Sequence, residues 1–342
     1  MNTYISMPDE RRRLVCEQTG AQTGLFDSSV EKDFWVCWIL EKLFSLPDIG
    51  NGLTFKGGTS LSKGWKLIER FSEDIDIVID RAFLGFAGDQ APDTAPSNKQ
   101  TKKRLESLGQ AAQTFVLDKL QPALLSAIKV DMPTGQKWLL EPDTDDPQNQ
   151  SLLFHYPTVF PDHPEYLKQV VKIEMGARSD TDPSSPVDIR SIIAEVFPAL
   201  FPESTFSVRS VQPVRTFWEK AMLLHEETYR PENKKRRKRG MARHYYDLFQ
   251  LIQKGVAESA AANMDLFNKI REHRRVYFKY TWMDYETLIP GKLRLIPLEE
   301  QMPDWKVDYT GMQQEMFYGD VPDFSEVLAT VKAFEVKFNS TR

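Results

Sequence analysis

FKGGTSLSKGWKLIERFSEDIDIVID, residues 55–80, reads as strand, glycine turn, helix and strand within 26 residues. The β-like run Leu53–Lys56 stops at Gly57-Gly58, the pattern Ser60–Glu69 predicts a helix, and Ile75–Asp80 alternates as a strand should. Successive strand side chains point to opposite faces. Ile75, Ile77 and Ile79 therefore face a core, and Asp74, Asp76 and Asp80 face away from it. Aspartate is poorly suited to a strand interior. Asp74 and Asp76, two apart on one face, read as a pair that shares a hard divalent cation; the alternative is a solvated strand face with a turn-forming Asp at each end. Glycine lets a bulky anion approach the backbone closely, and a helix start offers free N–H groups and a positive dipole end. Gly57, Gly58, Thr59, Ser60 and Lys63 are thus candidate ligands of a triphosphate. The alternative is a tight turn capped by Thr59 or Ser60. The spacing is neither that of a P-loop nor that of a dinucleotide fingerprint.

Outward from this segment, Val170–Met175 predicts another strand, with Val171 and Ile173 on one face and Lys172 and Glu174 on the other. Glu174 is a candidate third carboxylate beside the aspartate pair. Ser28–Phe44 predicts a helix opened by a Ser28/Glu31 capping box, and Lys102–Ile128 a long helix broken at Pro122. Residues 84–101, 141–150 and 178–188 read as loops, and Phe206–Val211 as a strand. After Pro213 the pattern turns helical, over Thr216–Tyr229, Met241–Lys254 and Met264–Tyr280. The expected organisation is an α/β domain over 1–212 followed by a mainly helical domain over 213–342.

Composition narrows the function. Of 342 residues, 41% are hydrophobic, enough for a sizeable core, and the net charge of −5 excludes a generally basic nucleic-acid coat. Two cysteines, Cys16 and Cys37, exclude a disulfide scaffold and suit a reducing cytosol. No export signal is read at the N-terminus and no apolar run is long enough to span a membrane. The five histidines show no metal-ligand spacing, so oxygen ligands point to Mg²⁺ (or Mn²⁺) rather than zinc.

The helical half carries its own candidates. Arg243 and Asp247, spaced i, i+4, share a helix face and are expected to pair. Lys220 lies among Phe217, Trp218, Ala221 and Leu224, and lysine is a compact point charge suited to phosphate. The run Lys234, Lys235, Arg236, Arg237, Lys238 and Arg239, with Arg243 close by, offers a local positive patch for an RNA backbone; as a solvated loop it would do nothing. Arg271, Arg274, Arg275 and Lys279 are candidates to extend it.

Taken together, Gly57-Gly58, Asp74-x-Asp76 and Glu174 resemble the signature of the AbiEii-type nucleotidyltransferase toxins, a branch of the DNA polymerase β-like superfamily. Phe217-Trp218-Glu219-Lys220-Ala221 resembles the family's lysine-bearing helix. Arg243-His244-Tyr245-Tyr246-Asp247-Leu248 resembles its Arg-x-x-Tyr-Asp-Leu element, although His244-Tyr245 stands where the family more often has Arg-Asp directly before its apolar-Tyr-Asp. The resemblance implies an α+β fold, with a polymerase β-like core (a mixed sheet with flanking helices) followed by a helical C-terminal domain. It implies a Mg²⁺-dependent enzyme of a toxin–antitoxin or phage-defence system. Such an enzyme transfers NMP from an NTP to RNA, in several family members the 3′ end of tRNA, and has a separately encoded antitoxin. Asp74, Asp76 and Glu174 would hold metal, Lys220 would neutralise the triphosphate, and Asp247 would orient Lys220 or sit beside the acceptor. Two other readings share these motifs: an antibiotic-modifying nucleotidyltransferase, and an inactive nucleotide- or RNA-binding regulator.

Overall fold

The computed structural model describes residues 1–72, 74–161, 169–231, 237–315, 317 and 321–340. Its contacts divide the chain into two compact units. One comprises Met1–Trp65 and Phe71–Ser210; the other comprises Lys66–Arg70 and Val211–Arg342.

The first unit is built on a seven-stranded mixed sheet. In chain order its strands are β1 (Leu53–Lys56), β2 (Ile75–Ile79), β3 (Leu139–Pro142), β4 (Ser151–His155), β5 (Val170–Gly176), β6 (Ser184–Ile189) and β7 (Phe206–Val211). In space they run β3-β4-β5-β2-β1-β7-β6. β1 and β2 pair antiparallel, with Lys56 opposite Asp76. β2 and β5 pair parallel, with Asp76 opposite Glu174. Ile75, Ile77, Val171 and Ile173 are buried while Asp76, Lys172 and Glu174 alternate with them. The strand faces are those that the isoleucine and valine spacing predicts. β3, β4 and β6 fall where the sequence shows little alternation, and part of the 178–188 stretch read as loop is strand β6.

Helix α1 (Asp9–Thr23) precedes α2 (Asp27–Ser45), which is buried over Ser28–Leu40 on all sides. Trp35 and Trp38 meet edge to face at 5.5 Å, Trp35 stacks on Tyr156 at 5.7 Å, and Trp38 lies 5.9 Å from Phe154 of β4. A helix buried all round must partner its own charges. Glu31 accepts from the Val159 backbone N–H at 2.9 Å and from the Thr158 hydroxyl at 2.6 Å. The expected Ser28/Glu31 capping box is therefore absent: the helix starts at Asp27, and Glu31 serves a distant loop instead of its own N-terminus. The long helix expected over 102–128 is α3 (Asn98–Phe115) and α4 (Gln121–Asp131), joined through a π-helical turn. Pro122 sits in the first turn of α4, where its missing N–H is tolerated, so it opens a helix rather than breaking one.

The second unit is helical: α5 (Pro213–Thr228), α6 (Arg243–Gln253), α7 (Val256–Ala262), α8 (Met264–Tyr277), α9 (Met302–Glu315) and α10 (Phe324–Asn339). Trp218 of α5 anchors its core, at 4.7 Å from Phe267 and 5.0 Å from Phe338, with its indole N–H on the Ala260 carbonyl at 3.1 Å. Among the described residues no helix is long and apolar enough to cross a membrane.

His225 of α5 is fully buried; its Nδ1 accepts from the Arg294 N–H at 2.9 Å, and its Nε2 lies 3.0 Å from Thr287 Oγ1. Burial lowers its pKa to about 4. A group whose folded pKa is depressed holds its stabilisation above the unfolded value of about 6.5 and loses it as pH falls toward 4. We expect unfolding stability to drop by about 3 kcal/mol from this group across that window. Urea midpoints between pH 7 and pH 4 check this, and a His225→Gln variant should show a flatter profile than the parent.

Candidate active site

β1 runs into the glycine turn at Lys56, and Gly57 adopts φ +79°, a conformation that side chains disfavour. A Cβ at Gly57 would stand 1.9 Å from Asp76 Oδ2. Gly57 is thus required twice, by its backbone conformation and by the carboxylate lying against it. Thr59 and Ser60 are fully buried. The Thr59 hydroxyl donates to the Asp74 carbonyl and lies 2.9 Å from Ser72 Oγ, and Ser60 Oγ donates to the Gly57 carbonyl at 3.0 Å. The sequence pattern predicts these hydroxyls on the phosphates. They tie the turn to the backbone of the aspartate segment instead, because buried hydroxyls must be hydrogen-bonded. Lys63 differs from expectation as well: it forms an ion pair with Asp33 of the buried helix α2. That carboxylate also accepts from the Ile192 N–H at 2.7 Å, and its charge holds the Lys63 pKa above the ordinary lysine value despite burial. Lys63 is spent on keeping Asp33 neutralised inside the core.

The parallel register of β2 and β5 puts Asp76 and Glu174 side by side on one sheet face. Glu174 is ion-paired with Lys172 at 2.9 Å, and Lys172 also reaches Asp143 at 3.2 Å. Two carboxylate partners keep Lys172 charged, with its pKa raised although burial opposes it. Among the described residues, no three His, Cys, Asp or Glu side chains are grouped closely enough to hold a metal ion together. The donor set nevertheless fits a hard divalent cation. It consists of carboxylate oxygens only, on a rigid strand pair, with Asp76 set against a residue that has no side chain.

In the helical unit, Asp247 of α6 has no solvent exposure. Arg70 grips it through Nε–Oδ1 at 2.7 Å and Nη2–Oδ2 at 2.9 Å, and Lys220 of α5 reaches Oδ2 at 2.8 Å. Burial alone would raise the Asp247 pKa; the Arg70 and Lys220 charges more than offset this and hold the carboxyl far below its usual range. Lys220 also lies 3.4 Å from His244 Nδ1. Burial lowers the Lys220 pKa, with the Arg70 and Arg243 charges adding to the effect and Asp247 opposing it. The expected Arg243–Asp247 pair does not form. Arg243 turns back to the Gly240 carbonyl at 3.0 Å, since both oxygens of Asp247 are taken by cations from other segments. Sequence reading missed Arg70. Its signal lay in Asp247, a carboxylate inside the aromatic run Tyr245–Phe249, which required a buried cation from somewhere.

The basic candidates separate. Lys234, Lys235 and Arg236 lie outside the described residues. Arg237 is a structural residue, paired with Glu227 at 2.8 Å and stacked over Trp305 at 4.4 Å. Lys238 and Arg239 are exposed and border a cavity of about 400 Å³ beside Trp305 and Asp308. Arg274 is committed to Glu226 at 2.8 Å in the core, and Arg271 and Arg275 pair with Glu272.

Residues 38–330 match the sequence pattern of the nucleotidyl transferase AbiEii toxins of type IV toxin–antitoxin systems. The chain belongs to the AbiEii family. It is a nucleotidyltransferase toxin, and the family implies an NTP substrate, a divalent metal and an antitoxin partner. Its fold is similar to that of MenT4, a nucleotidyltransferase toxin from Mycobacterium tuberculosis H37Rv. The TM-score is 0.50 at 15% identity, covering 96% of this chain and 90% of that one. No curated protein matches the sequence. The mixed sheet with flanking helices and the helical C-terminal region agree with the α+β architecture expected from the AbiEii motifs.

Two substitutions separate the site from its support. Gly57→Ala should cut nucleotidyl transfer by about a hundredfold, the usual cost of displacing a reacting group by about 1 Å. Its unfolding free energy should fall by more than the roughly 1–2 kcal/mol that a left-handed non-glycine residue costs, because Asp76 must also shift away from the new Cβ. Lys63→Met should act through stability, costing about 3–5 kcal/mol by leaving Asp33 buried and unpaired. Urea unfolding and NTP kinetics on both variants check this; a stable Lys63→Met protein with a raised KM for NTP would return Lys63 to the nucleotide.

Proposed function

We propose that the chain transfers a nucleoside monophosphate from an NTP to the 3′ end of an RNA, with tRNA as the acceptor class and Mg²⁺ or Mn²⁺ as the metal. The reading is carried by the in-register pairing of Asp76 with Glu174 beside the Gly57 turn. Asp74 and Asp76 would hold the metal, and Glu174 lies on the neighbouring strand. A divalent ion bound there would supply charge neutralisation to the entering and leaving oxygens of an in-line displacement. The backbone at Gly57 and Gly58 receives phosphate oxygens; Thr59 and Ser60 shape that turn from beneath. Glu174 takes the proton of the acceptor hydroxyl, which attacks the α-phosphorus, and pyrophosphate leaves. Lys220 supplies a positive charge for the triphosphate, held by Asp247.

For the acceptor, the exposed Lys238 and Arg239 and the nearby Arg243 suit a phosphate backbone, together with Lys234, Lys235 and Arg236. Such contacts position RNA without reading its bases. This favours a nucleic acid over a small cationic drug as acceptor. The proposed setting is a cytoplasmic toxin, active in phage defence and restrained by its antitoxin.

The test incubates the purified chain with total RNA and an aminoglycoside, Mg²⁺ and each α-labelled NTP in turn. Label should enter RNA with one preferred NTP. Asp74→Asn and Asp76→Asn should each abolish transfer while unfolding free energy stays within about 0.5 kcal/mol of the parent, since these are polar-face changes. Label entering an aminoglycoside instead of RNA would establish the drug-modifying alternative. Nucleotide binding with no transfer to any acceptor would mark an inactive regulator.

A further inference from the structure

Lys220 and Asp247 do not form a simple pair. Asp247 Oδ1 is occupied by Arg70 Nε, while Oδ2 accepts from both Arg70 Nη2 and the Lys220 ammonium. Arg70 is itself buried, and it belongs by its contacts to the helical unit, although it lies only four residues before Asp74 in the chain. The backbone reaches this position through Lys66, whose φ of +55° ends any helix started at Gly57. An isolated bridge partner, Phe317, also meets Arg70. The chain therefore interrupts a helix to deliver one guanidinium to one carboxylate.

We infer that Arg70 is the positioning residue of Lys220: its two parallel hydrogen bonds lock the plane of the Asp247 carboxylate, so that Oδ2 holds the ammonium at a single point. The inference rests on the proposed role of Lys220 toward the triphosphate. A planar fork is the group that can do this, because it bonds both carboxylate oxygens at once, whereas an ammonium bonds as a point and leaves the carboxylate free to rotate. Sharing Asp247 between two cations has a second consequence. The carboxylate neutralises Lys220 only in part, so positive charge remains for an anionic ligand. His244 Nδ1, at 3.4 Å, accepts from a second ammonium hydrogen, its pKa lowered by burial and by the Lys220 charge. Among the described residues, Asp247 and His244 thus take two of the three donors of Lys220 and leave one for a phosphate oxygen.

The charged groups facing Lys220 are Asp247 and Arg243 of α6 and Arg70 of the 66–70 segment, with the titratable His244 of α6 beside them. Removing the Arg70 charge while Asp247 remains should let Lys220 hold its proton more tightly. Arg70→Gln, Arg70→Lys and Lys220→Ala, each in the full chain, test this. The ammonium is followed by NMR of [13Cε]lysine-labelled protein, with the Lys220 resonance assigned by its loss in Lys220→Ala. Transfer of labelled NTP to total RNA gives kcat and KM on the same proteins. In Arg70→Gln, Lys220 should titrate at higher pH than in the parent, and kcat should fall about a hundredfold. In Arg70→Lys the charge is kept but the fork is lost, so the titration should stay near that of the parent while kcat still falls. An unchanged Lys220 titration in Arg70→Gln overturns the inference. So does parent-level kcat in Arg70→Lys, which decides the matter should Arg70→Gln fail to fold. Parent-level transfer by Lys220→Ala would defeat the proposed role of Lys220; an inactive Lys220→Ala beside a fully active Arg70→Gln would defeat the positioning role alone.

Discussion

One fully buried carboxylate, Asp247, sets conditions that reach well beyond its own helix. An ionised group without solvent must be paired and hydrogen-bonded or it neutralises. Asp247 meets that demand with a bidentate guanidinium and an ammonium, one from Arg70 and one from α5. The ammonium ties α5 to α6 at this carboxylate. The guanidinium requires residues 66–70 to leave the sheet unit's cluster and join the helical one. That requirement explains the shortness of the helix after the glycine turn, which the apolar spacing extends to Glu69 and the structure ends at Gly64. Helical propensity over five residues is a small term, and an unpaired buried carboxylate costs several times more.

The sheet unit answers a different constraint. Asp76 lies so close to the backbone of residue 57 that only glycine fits there. Parallel pairing with β5 then brings Glu174 level with Asp76. Around this face, the hydroxyls and charges that look like ligands in the sequence are mostly engaged in holding it. Thr59 fastens the turn to the Asp74 carbonyl, and Lys63 neutralises Asp33 beneath. The same holds in the helical unit, where Arg237 and Arg274 pair with Glu227 and Glu226. Residue types suited to phosphate are also the ones that satisfy buried carboxylates, and spacing along the chain does not distinguish the two uses.

What the sequence by itself determined was local. Strand alternation assigned Asp74 and Asp76 to one face and the isoleucines to the other, because the period of a strand is two. The same logic placed Glu174 opposite Val171 and Ile173. The glycine pair marked the turn after the first strand, and helical periodicity located α2, α5, α6 and α8 to within a few residues. Motif order along the chain was enough to indicate the family. Partners were decided only by tertiary structure. Arg70 and Asp247 lie 177 residues apart, and nothing in either neighbourhood names the other. The i, i+4 rule offered Arg243 as the nearest cation, yet such a helix-surface pair contributes only a few tenths of a kcal/mol. In a buried site, desolvation makes the geometry of the pair decisive, and the bidentate guanidinium brought in by packing prevailed over the residue one turn away.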